Sequence, residues 1–281
     1  MLNKSLNWLS GHRFINLLIL LVYFLIVVLP HEEVGIWISN IFKPYTRDFY
    51  NHVLMLCASG GLLVYLFVCY RAVNKPIPRL LLGYLLLNLI LAILCFKVLF
   101  VVNVEAIHFL QYAVFALLCY PMINNYNLTL VYTTIAGAID EGYQFYYLAP
   151  ERTMYYDFND VIINLIGAVF GLILIRSLRR GYKKYTFVDF ISSIHFKIFL
   201  GLLIIIIGLF ASGLLVKIYD PQDTYAKFWL IRQQAFGFWQ ERPRFNFRYH
   251  IVQPWEGVLI VAILLVLYSR LYKGAPVLDQ T

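Results

Sequence analysis

Eight apolar runs, at 14–29, 52–70, 80–102, 104–122, 128–147, 158–175, 198–216 and 255–271, divide the chain. A helix crossing a bilayer needs about 20 apolar residues, because in hydrocarbon it must satisfy its backbone hydrogen bonds internally. Runs of nearly that length, repeated along the whole chain, leave a soluble fold with more apolar surface than it can bury. Composition agrees: 61% of residues are hydrophobic and 14% charged, against roughly 45–50% and roughly 25% in soluble domains. Disorder, collagen and coiled coil are excluded on the same grounds, and no solenoid period is present. The expected fold class is all-α, a polytopic transmembrane helical bundle of about eight spans. The first run has a basic flank (Lys4, Arg13), as a signal peptide would. Pro30-His31-Glu32-Glu33 follows it with no small-residue cleavage site, so the run reads as a span.

A net charge of +8 in such a chain reports basic loops on one side of the membrane, and no nucleic-acid partner is expected. Thirteen Lys and Arg fall on the side that holds both termini and nine on the other. The densest cluster, Arg176, Arg179, Arg180, Lys183 and Lys184, adjoins a helix end, where the positive-inside bias acts most strongly. A multi-pass protein of the cell (plasma) membrane with both termini cytoplasmic is the expectation. The four cysteines, Cys57, Cys69, Cys95 and Cys119, lie inside apolar runs without CxxC or zinc spacing and read as small buried hydrophobes. Three loops are long, at 30–51, 176–197 and 217–254. The last interleaves aromatics such as Trp229, Phe238, Trp239 and Tyr249 with basic residues. It suits an aromatic belt at the interface, or a segment that recognises lipid headgroups.

Ionisable side chains within a span cost about 2.5–3.5 kcal/mol each on insertion scales, and here they are grouped. Glu105, His108 and Tyr112 recur at i, i+3 and i+7, one helix face. In the next run Gly137, Glu141 and Gln144 share a face with Asp140 beside it. After Arg152 in the connecting loop, Asp157, Asp160, Asn164, Gly167 and Gly171 form one stripe, ending in the small-xxx-small pattern of closely packed membrane helices. At about 1.5 Å per residue, Asp160 and His108 lie about 5 Å below the outer surface, and Glu141 and Asn164 about 10 Å below it. Three consecutive helices thus place their costly residues at matched depth in one leaflet, which reads as one polar pocket open outward. Each residue also has a structural explanation: His108 as an interhelical hydrogen-bonding histidine, Arg152 as an interface anchor, Asp157 or Asp160 as a helix cap, Asn164 as interhelical glue.

The string Asp140-Glu141-x-x-Gln144, Arg152, Asp157-x-x-Asp160-x-x-x-Asn164-x-x-Gly167-x-x-x-Gly171 resembles the signature of the VanZ-like family. Glu105-x-x-His108-Phe109-x-x-Tyr112 is similar to that family's acidic, His-Phe and Tyr pattern. The family's usual lysine beside the acidic residue is absent, the pair here being Val104-Glu105. The resemblance spans 80–175 and divides the chain into 1–78, two helices with an outer loop; 79–177, a VanZ-like four-helix core; and 178–281, two helices with the aromatic outer loop. It implies a bacterial envelope protein similar to one associated with teicoplanin or lipoglycopeptide resistance.

Three functions are compatible with these residues. In the first, the pocket binds or modifies an anionic amphiphile of the outer leaflet, a wall-precursor lipid or a lipoglycopeptide. Arg152 and His108 meet its phosphate or carboxylate, and Glu141 and Gln144 orient its polar substituents. In the second, the chain is a membrane enzyme acting on a lipid (di)phosphate. Glu105 and His108 have carboxylate–histidine metal spacing, Asp157 and Asp160 could hold a divalent cation, and Glu141 could serve as acid or base. No cofactor is predicted, and HExxH, GxSxG and P-loop motifs are absent from the sequence. The third, a proton-coupled transporter, ranks last, because the costly residues stay in one leaflet and no inverted repeat is found.

Overall fold

The computed structural model describes residues 2–42, 45, 47–72, 79–101, 103–148, 155–178, 192, 194–216, 228–231, 237–242 and 247–271. Its elements are overwhelmingly helical: α1 (Leu2–Gly11), α2 (Arg13–Tyr23, continued by a π turn Phe24–Val28), α3 (His31–Phe42), α4 (Arg47–Ala72), α5 (Arg79–Val98), α6 (Ile107–Ile123, preceded by a 3-10 turn Asn103–Ala106), α7 (Tyr126–Tyr143, followed by a π turn Gln144–Leu148), α8 (Phe158–Leu178), α9 (Ile194–Ala211) and α10 (Pro254–Tyr268). Two small sheets accompany them. Leu215–Val216 (β1) pairs in parallel with Phe228–Trp229 (β2), and Gln240–Arg242 (β3) pairs antiparallel with Phe247–Tyr249 (β4).

Four helical segments, Phe49–Ala72, Arg79–Val98, Val104–Ile123 and Phe158–Leu178, are long and apolar enough to cross a membrane. A fifth arises if Lys4–Gly11 and Arg13–Val28, bent by 108°, form one span. The other three runs expected to span are also helical over much of their length, but each falls short in a different way. Tyr126–Tyr143 carries three threonines, Asp140 and Glu141, which lower its hydropathy. Pro254–Tyr268 has only 15 residues, and the run at 198–216 leaves its helix at Ala211 to end in β1. The loop expected at 30–51 contains α3 and the first turn of α4.

The bundle is built around α8, whose apolar window is 94% buried inside the protein. Helices α4, α5, α6, α7 and α10 all pack on it. Lipid tails are as apolar as leucine, so close packing and interhelical hydrogen bonds must hold such helices together. Gly167 and Gly171 supply the first: a methyl at Gly167 would lie 2.9 Å from the backbone of His108 and Phe109, and one at Gly171 would collide with the carbonyl of Ala113. Side chains supply the second. Asn88 Nδ2 donates to the Ile166 carbonyl (3.2 Å), Tyr268 to Asn88 Oδ1 (2.8 Å), and Tyr65 to the Phe170 carbonyl (3.0 Å). Each such bond is worth about 0.6–2 kcal/mol in a membrane.

A tight turn aligns α6 with α7. Asn124 ends α6 in the left-handed region (φ 51°), where Asn is among the few tolerated residues. Asn125 then caps α7, its side chain accepting from the Leu128 N–H at 3.1 Å. The two helices therefore run antiparallel side by side. The end of α6 that carries His108 lies level with the end of α7 that carries Asp140 and Glu141. Lipid-facing surface is plentiful elsewhere: Leu56 on α4 is 73% exposed and Val266 on α10 is 72% exposed.

Candidate functional site

The stripe Asp160–Asn164 on α8 meets His108 on α6. Asn164 Oδ1 lies 2.9 Å from His108 Nδ1, and Asp160 Oδ2 lies 3.5 Å from His108 Nε2. Both ring nitrogens of the histidine therefore face α8. Opposite them, the Tyr112 hydroxyl donates to Asp140 Oδ2 at 3.0 Å. Gln144 Nε2, at the start of the π turn that follows α7, reaches Asp140 Oδ1 at 3.4 Å and Glu141 Oε1 at 3.3 Å. Tyr112, Asn164 and Asp140 are fully buried, and His108 and Glu141 are 2% exposed.

Gly137 lets these two sets adjoin. A methyl there would come within 3.1 Å of Asn164 Nδ2 and 3.5 Å of the Tyr112 ring. The missing side chain on α7 is what allows α8 and α6 to bring Asn164 and Tyr112 to one place. One turn above Gly137, Glu141 lies within electrostatic range of Asp160, Asp140, Asp157 and Glu105.

Nine of the ten residues expected at the site lie in the described structure. His108 and Asn164 form one hydrogen-bonded pair with Asp160 3.5 Å from the histidine, and Tyr112, Asp140, Glu141 and Gln144 form a second hydrogen-bonded set, with Glu141 linking the two electrostatically. Asp157 sits just before α8, where its Oδ1 accepts from the Asn159 N–H (2.9 Å). Glu105 lies in the 3-10 turn leading into α6 and accepts from the Val101 N–H at 2.9 Å. Arg152 lies outside the described residues. Among the described residues, no three His, Cys, Asp or Glu side chains are grouped so as to hold a metal ion.

Segments distant in sequence pack beside the cluster. Tyr155 bridges to Ile231, the Tyr156 N–H donates to the Leu230 carbonyl (3.0 Å), and the Tyr146 hydroxyl donates to the Trp229 carbonyl (2.5 Å). The Tyr156 hydroxyl turns inward to the Ala138 carbonyl at 2.6 Å. Burial pushes both Tyr155 and Tyr156 hydroxyls well above their ordinary range; next in size come Asp157 for the first and Glu141 for the second. The Asp157 carboxyl is likewise held well above the carboxylate range. Burial is the larger cause and the nearby Asp160 the next, opposed by the N–H groups of Asn159 and Asp160 and by the Tyr155 hydroxyl.

Sequence reasoning missed Asn159. Its side chain is 1% exposed and fully used: Nδ2 donates to the carbonyls of Leu99 (2.9 Å) and His250 (2.7 Å), and Oδ1 accepts from the Val252 N–H (2.9 Å). This one amide ties the top of α8 to the end of α5 and to the segment that leads from β4 into α10. Its only signal in sequence was a polar residue between Asp157 and Asp160. His250 continues the clasp, with Nδ1 against the Phe238 carbonyl (2.7 Å), Nε2 against Glu256 (3.2 Å) and its ring stacked on Phe238.

Comparison with family models, curated proteins and solved structures returned no match to this chain.

Proposed function

We propose that the chain is a VanZ-like integral membrane protein of the bacterial envelope, crossing the membrane eight times with both termini cytoplasmic. Its polar pocket between α6, α7 and α8 receives the headgroup of an anionic, lipid-like amphiphile such as a wall-precursor lipid or a lipoglycopeptide. One observation carries this reading: His108, Asp140, Glu141 and Asn164, from three helices, are sealed together with at most 2% exposure. So much desolvated polarity at one depth costs more than helix packing requires. The carboxyls and Gln144 suit the hydroxyl, amide or ammonium donors of such a headgroup. Its phosphate or carboxylate falls to Arg152 in the segment between α7 and α8. His108 acts through Asp160, since both its nitrogens are turned to α8.

The test is binding of a polyprenyl diphosphate-linked sugar and of an acylated glycopeptide to purified wild type, Glu141→Gln and Arg152→Gln. The reading expects binding by wild type and a loss of about tenfold or more in each variant. Equal binding by all three proteins rejects it, as does unchanged sensitivity of a deletion strain to both acylated and non-acylated glycopeptides.

A second reading draws on the His108–Asp160 contact. A histidine between an amide and a carboxyl can move a proton on and off Nε2, as an enzyme acting on a lipid (di)phosphate requires, with or without a divalent cation at Asp157 and Asp160. Product release from such a substrate, abolished by His108→Gln, would favour catalysis over binding.

A further inference from the structure

At the opposite end of α8 stands a cation that the pocket does not use. Arg176 is 6% exposed, so its side chain is enclosed within the bundle instead of extended to the surface. A guanidinium carries a fixed charge and five N–H donors. The Arg176 Nε is buried and finds no hydrogen-bond acceptor, and none of the ion pairs among the described residues involves the group. Leaving a buried charge without a partner is among the costliest arrangements in a protein.

Two ordinary explanations fall short. A basic residue in the last turn of a helix can be stabilised by the final carbonyls, but the buried Nε donates to none of them. A long cation can also snorkel into water at the membrane surface, but at 6% exposure Arg176 is covered by protein. Position narrows the missing partner. α8 has 21 residues, about 31 Å at 1.5 Å per residue, which matches a hydrocarbon core of about 30 Å. Arg176, two residues from the end, stands at the level of the headgroups, where lipid phosphates are the most abundant acceptors. The sequence that follows is basic as well (Arg179, Arg180, Lys183, Lys184), and clustered cations beside a membrane helix attract anionic lipid.

We propose that Arg176 forms a second binding site, distinct from the acidic cluster, that takes a phosphate oxyanion at the far end of α8. The phosphodiester of an anionic phospholipid and free inorganic phosphate share this chemistry. The planar guanidinium fork matches two oxygens of either.

The experiment compares delipidated wild type with Arg176→Met and Arg176→Lys in non-ionic detergent. Phosphatidylglycerol is titrated in one arm and inorganic phosphate in the other. Without ligand, Arg176→Met melts above wild type, because it removes an unpaired buried charge without opening a large cavity. Phosphatidylglycerol raises the wild-type midpoint by about 5 °C at saturation, raises Arg176→Lys less and leaves Arg176→Met unmoved. An equal response to inorganic phosphate assigns the site to the free anion; no response to phosphate assigns it to lipid. Arg176→Met melting below wild type without ligand would show a structural partner and overturn the proposal. So would equal responses of wild type and Arg176→Met. If neither variant folds, wild type decides alone: absence of bound phosphorus after mild purification, with no response to either titrant, overturns it.

Discussion

Asn164 on α8 presents its side-chain oxygen to His108 Nδ1 at 2.9 Å, and that contact sets how the histidine can be protonated. With Nδ1 donating to the amide oxygen, Nε2 is left facing Asp160 Oδ2 at 3.5 Å. Asn164→Leu removes the Asn164 oxygen that faces His108 Nδ1. A loss of about 1–3 kcal/mol in unfolding free energy is expected, and Asn164→Asp should restore the histidine contact. Nitrogen chemical shifts of His108 would report the change of tautomer directly.

Asp157 gives the protein a stability that depends on pH with a defined sign. Its folded-state carboxyl titrates well above the ordinary value of 3.8. The stability it contributes is complete below that ordinary value and declines as pH rises toward the folded value, because the unfolded chain releases the proton first. Asp157→Asn keeps an oxygen for the Asn159 N–H and removes the titration. The variant should match wild type near pH 4 and melt above it at pH 7 to 8. Parallel thermal-melt curves for the two proteins across that range would refute the assignment.

The glycines of α8 can be separated from glycines that touch nothing. Gly171→Ala forces a methyl against the Ala113 carbonyl of α6, whereas Gly201→Ala on α9 meets no atom within 4 Å. The first should cost about 1–3 kcal/mol. The second should be neutral, or stabilise by up to about 1 kcal/mol through helix propensity. Denaturant titration in detergent distinguishes them.

Asn159→Ala cuts three backbone hydrogen bonds at once. Hydrogen exchange should accelerate at the amides of His250 and Val252, which join Val98 and Asn159 respectively. Exchange in the middle of α8 should stay slow, since its burial does not depend on the clasp. Unchanged exchange at 247–253 would show that β4 alone holds the segment.

The parts of this architecture legible in the sequence were those marked by contrast. In a helix that is apolar all round, hydrophobic periodicity carries no facing information, so only the rare polar or small residue shows which side meets a neighbour. Glu105, His108 and Tyr112 were readable for that reason, as were Asp160, Asn164, Gly167 and Gly171, and the structure brings His108, Asp160 and Asn164 into contact. The same logic hid Asn159, because its partners are backbone groups of Leu99, His250 and Val252, which no side-chain pattern advertises. It also concealed α3 inside an expected loop, and the 108° bend at the N-terminus. The polar content that made α7 recognisable as part of a site is what makes it a poor membrane span on hydropathy.

The clasp at Asn159 also has a consequence in time. Its acceptor oxygen waits for Val252, 93 residues further along the chain. At a synthesis rate of about 5–20 residues per second, the top of α8 emerges roughly 5–20 s before the segment that leads from β4 into α10 exists. During that interval the Asn159 side chain has only the Leu99 carbonyl to hold, while the ribosome finishes the chain. A nascent protein stalled before His250 would therefore have the top of α8 tied through this side chain to the end of α5 alone.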